Sequence, residues 1–168
     1  LDKVRDLIAV ESFNDVKKML ELYIAEGHDK DLEAIKLMGL VNINLKLFDK
    51  AKEDFQKAVR ISPNDATALF YLANCHDNIN QLLDAEKYYL KVLDVRENYI
   101  DAYKDLCIVY MKTNRELNAI ELAKKAKTIA PNDYIFDYLI GTACITLKRY
   151  NEGIEHLETS LGLNPSHF

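Results

Sequence analysis

Four histidines and three cysteines are the residues of this chain that could hold a metal or attack a substrate. His28, His76, His156 and His167 lie far apart and show no metal-ligand spacing. A zinc site needs ligands that converge on one point. His156 stands close to Glu155 and Glu158 in a helical stretch, which reads as a solvated helix face. His76 falls at a packing position, so it reads as a core or groove histidine. Cys75, Cys107 and Cys144 form no CxxC pair, and an odd, widely spaced set reads as reduced thiols in a cytoplasmic chain. Nothing near them in sequence would clearly lower a thiol pKa, so they read as small hydrophobes in a core. The five glycines make no phosphate-cradling loop. The chain therefore reads as non-catalytic, with no metal and no cofactor.

The elements that carry these residues repeat. Pro63, Pro131 and Pro165 are separated by 68 and 34 residues, so the step is 34, with Glu97 where one proline is missing. Gly39, Ala73, Cys107 and Gly141 mark one small-residue column, and Ala51, Ala85, Ala119 and Gly153 a second. Small residues at those points let two helices approach closely, while large apolar residues such as Phe55, Leu72 and Tyr89 fill the spaces between. The strings Phe13-Asn14-Asp15-Val16, Phe48-Asp49-Lys50-Ala51 and Tyr150-Asn151-Glu152-Gly153 share one order of aromatic, cap, charge and small residue. Asn14 and Asp49 are read as N-caps of second helices. Asn64-Asp65 and Asn132-Asp133 are read as turn and cap before first helices. Proline after a second helix stops it, because it has no amide donor and biases the preceding residue away from helix.

A 34-residue step with these columns resembles the tetratricopeptide repeat (TPR) family. The resemblance covers residues 32–167, with a looser repeat before it. It implies an all-α fold, a right-handed superhelical solenoid of antiparallel helix pairs with about ten helices. The expected organisation is a divergent helical hairpin over 1–31, then repeats over 32–65, 66–99, 100–133 and 134–167. In the first hairpin Val4, Leu7, Ile8 and Ala9 make an apolar stripe, followed by Val16, Met19, Leu20, Tyr23 and Ile24. The chain starts at Leu1 without methionine and is read as a fragment of a longer protein. The final helix, about Asn151 to Leu163, would be left uncovered, so either the chain continues or this edge meets another copy.

The resemblance implies a protein-interaction scaffold that binds a peptide or helical segment in a concave groove lined by first helices. By position, that groove takes Lys36, Leu40 and Ile43 from one repeat and Phe70, Asn74 and Asp77 from the next. Asp101, Lys104, Ile108 and Met111 follow, then Tyr138, Thr142 and Ile145. The mix of apolar, aromatic and separate charged residues suits an extended peptide or an amphipathic helix. The two-carboxylate clamp of co-chaperone TPR domains is not expected: Lys36 is followed four residues on by Leu40, and Asp101 and Asp105 would repel a carboxylate. Two other readings stay open, self-assembly through the uncovered last helix and a substrate-presenting array attached to a catalytic domain.

The net charge of −5 and pI of about 5.4 oppose a nucleic-acid surface. No stretch reaches the ~18 apolar residues of a membrane span; the longest nearly uncharged run, Tyr134 to Leu147, contains Asp137.

Overall fold

A computed structural model describes residues 13–165. The described residues form nine helices: α1 Phe13–Ala25, α2 Leu32–Asn44, α3 Phe48–Ile61, α4 Ala66–Asn78, α5 Leu82–Val95, α6 Ile100–Lys112, α7 Glu116–Ile129, α8 Tyr134–Thr146 and α9 Tyr150–Leu163. The apolar stripe of Val4, Leu7, Ile8 and Ala9, and His167, lie outside the described residues. Helices α2, α4, α6 and α8 begin at 32, 66, 100 and 134, and α3, α5, α7 and α9 begin at 48, 82, 116 and 150. Both series advance by 34, so the architecture is an all-α helical repeat array.

Two kinds of turn produce this regularity. Inside each hairpin one residue adopts the left-handed conformation: Lys46, Asn80, Asn114 and Lys148, with φ between 55° and 61°. At the first of them the Lys46 amide donates to the Ile43 carbonyl and the Leu47 amide to the Asn42 carbonyl, both at 2.8 Å. The equivalent pair recurs after α4, α6 and α8, ending on Gln81, Arg115 and Arg149. This is the Schellman closure, which satisfies the orphan carbonyls of a helix end. Between hairpins an aspartate caps the next helix. Asp31 accepts from the Glu33 and Ala34 amides, Asp65 from Ala68 and Asp133 from Ile135. The fourth position of that series is Tyr99, and α6 has no side-chain cap.

The caps expected at Asn14 and Asp49 are not formed in this way. Helix α1 already begins at Phe13, so Asn14 lies inside it. The residue before α3 is Leu47, which makes no side-chain cap bond. Its amide belongs to the Schellman closure instead, and Asp49 sits in the first helical turn, 3.5 Å from Lys52. A carboxylate there still favours the positive end of the helix dipole.

The described residues pack as two compact units divided between Lys91 and Val92, inside α5. In the first, Val16 and Leu20 of α1 bury against Ala34, Leu37, Met38 and Val41 of α2. Ile35, Phe55 and Ala58 of the α2–α3 hairpin bury against Ala68, Leu72 and Cys75 of α4. In the second, Tyr103 and Cys107 of α6, Ala119 to Ala126 of α7, and Phe136, Ile140 and Ala143 of α8 form one core. The second and third of these interfaces reuse one pattern: a helix of the 32, 66, 100, 134 series lays residues spaced i, i+4 and i+7 over the helix before it.

The hairpins close through the small columns. A Cβ on Gly39 would stand 2.6 Å from the Phe55 ring, so the ring lies directly on the α2 backbone. Cys107 fills the same column with a thiol that donates to the Ala119 carbonyl at 3.5 Å.

Candidate partner-binding site

In the first unit, α2 and α4 carry Lys36, Leu40, Phe70, Asn74 and Asp77, and none is buried. Lys36 is held by ion pairs with Glu33 at 2.7 Å and with Asp65 at 3.1 Å. Burial alone would lower the Lys36 ammonium pKa, but the hydrogen bonds it donates to Glu33 and Asp65 override it and hold it above its ordinary value. Burial likewise works to raise Asp65, and the Ala68 amide together with Lys36 brings it below the usual carboxylate range. Leu40 and Ile43 lean on the cluster around Ile35, Phe55 and Leu72. Phe70 meets Tyr71 edge-on at 5.4 Å and lies 5.9 Å from the Tyr89 ring. Asn74 accepts from the Asn78 amide group through both its carbonyl and its side-chain oxygen.

In the second unit, α6 carries Asp101, Lys104, Ile108 and Met111, and α8 carries Tyr138, Thr142 and Ile145. Lys104 repeats the role of Lys36: its ammonium lies 2.7 Å from the capping carboxylate of Asp133 and 3.7 Å from Asp101. Asp101 is otherwise open to solvent. Ile108 is 38 % exposed, one of several large aliphatic side chains that these helices leave in contact with solvent. Met111 is half-buried against the core, and the Thr142 hydroxyl donates to the Tyr138 carbonyl. In each unit these helices carry two kinds of residue. Lys36 and Lys104 tie a helix to the cap of the next, while Ile108, Met111, Phe70 and Tyr138 offer apolar surface.

One tetratricopeptide repeat model matches residues 33–65 and 138–167, and another matches 54–87. The chain belongs to the tetratricopeptide repeat family. Its fold is similar to the crystal structure of MamA, with a TM-score of 0.91 at 19% identity, covering 98% of this chain and 96% of that one. It is also similar to YrrB, described as a TPR protein with an unusual peptide-binding site. There the TM-score is 0.83 at 16% identity, with 99% and 86% covered. In sequence it is 30% identical over 112 residues to the human protein O-mannosyl-transferase TMTC3. That match takes in 66% of this chain and 12% of the relative's length.

The TPR hairpins also hold buried polar groups that the sequence reading did not find. Asp137 occupies the position of Ile35, Leu69 and Tyr103, and its side chain is 1 % exposed. One of its oxygens accepts from the Lys127 ammonium and from His156 Nδ1, both at 2.7 Å. His156 therefore does not stand on a solvated face: it is partly buried and reaches back to α8, because a carboxylate in an apolar column must be met by donors. The signal was Asp137 itself, an acidic residue in a column of Ile, Leu and Tyr. In the same way Asn42 bridges Lys17 and Asp54, at 2.9 and 2.7 Å. His76 Nδ1 lies 2.7 Å from Gln81 Oε1, and the imidazole stacks on Tyr88.

All three cysteines are free and buried. Burial pushes the Cys75 and Cys107 thiols up to about 12 and raises Cys144 as well. Among the described residues no three His, Cys, Asp or Glu side chains could share a metal ion, and no helix is long and apolar enough to cross a membrane.

Proposed function

We propose that this TPR array is a non-catalytic scaffold that holds an extended peptide or an amphipathic helix of a partner protein on its first-helix faces. Lys36, Leu40, Phe70, Asn74 and Asp77 make the contacts in the first unit. Asp101, Lys104, Ile108, Met111, Tyr138 and Thr142 make them in the second. The observation that carries this reading is Ile108, an exposed isoleucine between half-buried Lys104 and Met111 on one face of α6. An aliphatic anchor flanked by fixed charges is the chemistry that reads side chains at helical or alternate spacing. Lys36 and Lys104 present their ammonium groups in set positions because Asp65 and Asp133 hold them.

A selection from a random peptide display library, followed by fluorescence anisotropy with the selected peptides, tests this. Ile108→Asp and Tyr138→Ala are expected to weaken binding by about tenfold each, the scale of one apolar anchor, with melting temperatures near that of the parent. Peptides that bind both variants as tightly as the parent place the site elsewhere.

The relationship to a mannosyl-transferase favours a second reading, in which the array presents protein substrates to a catalytic segment. There Ile108→Asp lowers transfer to a protein acceptor and leaves transfer to a small acceptor unchanged.

A further inference from the structure

The first-helix faces repeat at twice the step of the fold. Lys36, Leu40 and Ile43 of α2 are matched 68 residues on by Lys104, Ile108 and Met111 of α6. Glu33 is matched by Asp101, Asp65 by Asp133, Phe70 by Tyr138 and Asn74 by Thr142. A step of 34 breaks the match: Phe70 stands in the place of Lys36, Asn74 of Leu40, Asp77 of Ile43 and Tyr99 of Asp65. Buried positions do not share the longer period. Ile35 gives way to Tyr103, Gly39 to Cys107 and Phe55 to Ala123, so a copied core does not account for it.

The two sets share geometry as well as residue type. Lys36 Nζ lies 2.7 Å from Glu33 and 3.1 Å from Asp65, and Lys104 Nζ 3.7 Å from Asp101 and 2.7 Å from Asp133. The lysine side chains are 15 % and 20 % exposed, whereas Glu33 and Asp101 are 52 % and 68 % exposed. Each set lies whole within one compact unit, on α2 and α4 in the first and on α6 and α8 in the second.

Resting on the first-helix reading, we propose that each unit is a complete site for the same short peptide segment, an apolar residue beside a lysine or arginine, so that the array takes two copies of one motif. Lys36, Leu40 and Ile43, like Lys104, Ile108 and Met111, stand at i, i+4 and i+7 on one side of a helix. The two apolar members of each set, with Phe70 or Tyr138 on the next first helix, receive the apolar residue. Asn74 and Thr142 each put a side-chain oxygen able to accept a peptide amide at the matching place. Two carboxylates surround one ammonium in each cluster, and the ammonium is the more covered group. A ligand therefore meets an excess of negative charge at Glu33 and at Asp101, which attracts a basic residue and repels an acidic one.

The probe is a short-peptide display library, panned on the parent, on Ile108→Asp, which leaves the first unit intact, and on Leu40→Asp, which leaves the second. Leu40 is half-buried, so Glu33→Lys, at an exposed position, takes its place if melting curves show Leu40→Asp to be unfolded. The pools from the two variants are expected to converge on one pattern, an apolar residue next to lysine or arginine. The consensus peptide, synthesised and titrated by calorimetry, should bind the parent at two per chain. Each variant should keep one site at the parental affinity, with the other weakened about tenfold or more. Glutamate in place of the peptide's basic residue should weaken both sites about tenfold. Unlike patterns from the two variants, or an acidic pattern, overturn the proposal. One peptide per chain, weakened by Ile108→Asp, overturns the second site and leaves the first-helix reading standing. A consensus peptide indifferent to all of these replacements, or a library that yields no binder on the parent or on either variant, overturns both.

Discussion

Gly141 and Gly153 face each other across the α8–α9 hairpin so closely that neither has room for a methyl group. A Cβ on Gly141 would stand 2.9 Å from the Gly153 carbonyl oxygen, and a Cβ on Gly153 3.0 Å from the Gly141 carbonyl oxygen. The Gly141 Cβ would also meet Leu157 Cγ at 2.7 Å. Neither obstacle is the free end of a flexible side chain, so the helices must separate. Overpacking of this kind costs about 1–3 kcal/mol, offset in part by the helix-propensity gain of about 1 kcal/mol from glycine to alanine. Gly141→Ala is expected to lose about 1 kcal/mol in urea unfolding, whereas Gly162→Ala, with open space around it, gains up to about 0.5–1 kcal/mol. Equal stabilities of the two variants would contradict this account of the hairpin.

The two small columns that meet at Gly141 and Gly153 were legible in the sequence because packing distance acts on residue type at a fixed step. The capping role of Asp65 and Asp133 was legible for a similar reason, since both precede a helix in the same turn. The left-handed residues were not. Lys46 and Lys148 carry no glycine signal, and only Asn80 and Asn114 are of a type that tolerates positive φ. Asn14 and Asp49 looked like caps because a polar residue before an apolar run is ambiguous until the turn that holds it is known. The partners of Lys36 and of Asp137 lie 29 and 19 residues away, distances that no local pattern joins.

The pair of Lys36 with Asp65, repeated by Lys104 with Asp133, is expected to stabilise the junction between hairpins in two separable ways. Asp65→Ala removes both a cap and an ion pair and should cost about 1–2 kcal/mol. Asp65→Asn keeps the cap and removes only the charge, so it should cost less. A double-mutant cycle with Lys36→Met isolates the pair. The pH dependence has a definite sign. Hydrogen bonding from the Ala34 amide leads the effects that hold Asp31 below the usual carboxylate value, and Asp65 is lowered too. A depressed folded pKa means stability that is fully present above the unfolded value and is lost as pH falls through the folded one, below about pH 4. Chemical denaturation between neutral pH and about pH 3 should show this loss diminished in Asp65→Asn.

Asp54 should behave in the opposite sense. Burial raises its carboxyl above the ordinary value in spite of the bond from Asn42. A raised folded pKa favours the fold below about pH 4 and works against it as pH rises through the folded value. Asp54→Asn keeps an acceptor for the Asn42 amide and removes the buried charge. It is expected to match or exceed the parent at neutral pH by up to about 1 kcal/mol, with the advantage fading in acid. An Asp54→Asn variant that is less stable at neutral pH than in acid, relative to the parent, would refute this.

The Lys127–Asp137–His156 cluster joins α7, α8 and α9 through a single carboxylate oxygen, and its members are unequal in burial: Asp137 is 1 % exposed, Lys127 28 % and His156 23 %. That inequality sets the order of mutational effects. Lys127→Met or His156→Leu leaves a deeply buried carboxylate with one donor fewer, a situation that costs about 3–5 kcal/mol when a buried charge loses its partner outright. Because one donor remains, about 2 kcal/mol is the expected loss. Asp137→Leu instead restores the apolar type found at Ile35 and Leu69, and the Lys127 ammonium and His156 ring it releases are close enough to the surface to hydrate. Its expected loss is about 1 kcal/mol or less. The triple variant with Leu at 137, Met at 127 and Leu at 156 should be more stable than either Lys127→Met or His156→Leu alone, because the carboxylate is then no longer left buried with a donor missing. Urea unfolding of the four variants decides the matter. If Asp137→Leu is the most damaging of them, the carboxylate is a positive source of stability and not a buried charge held tolerable by its donors.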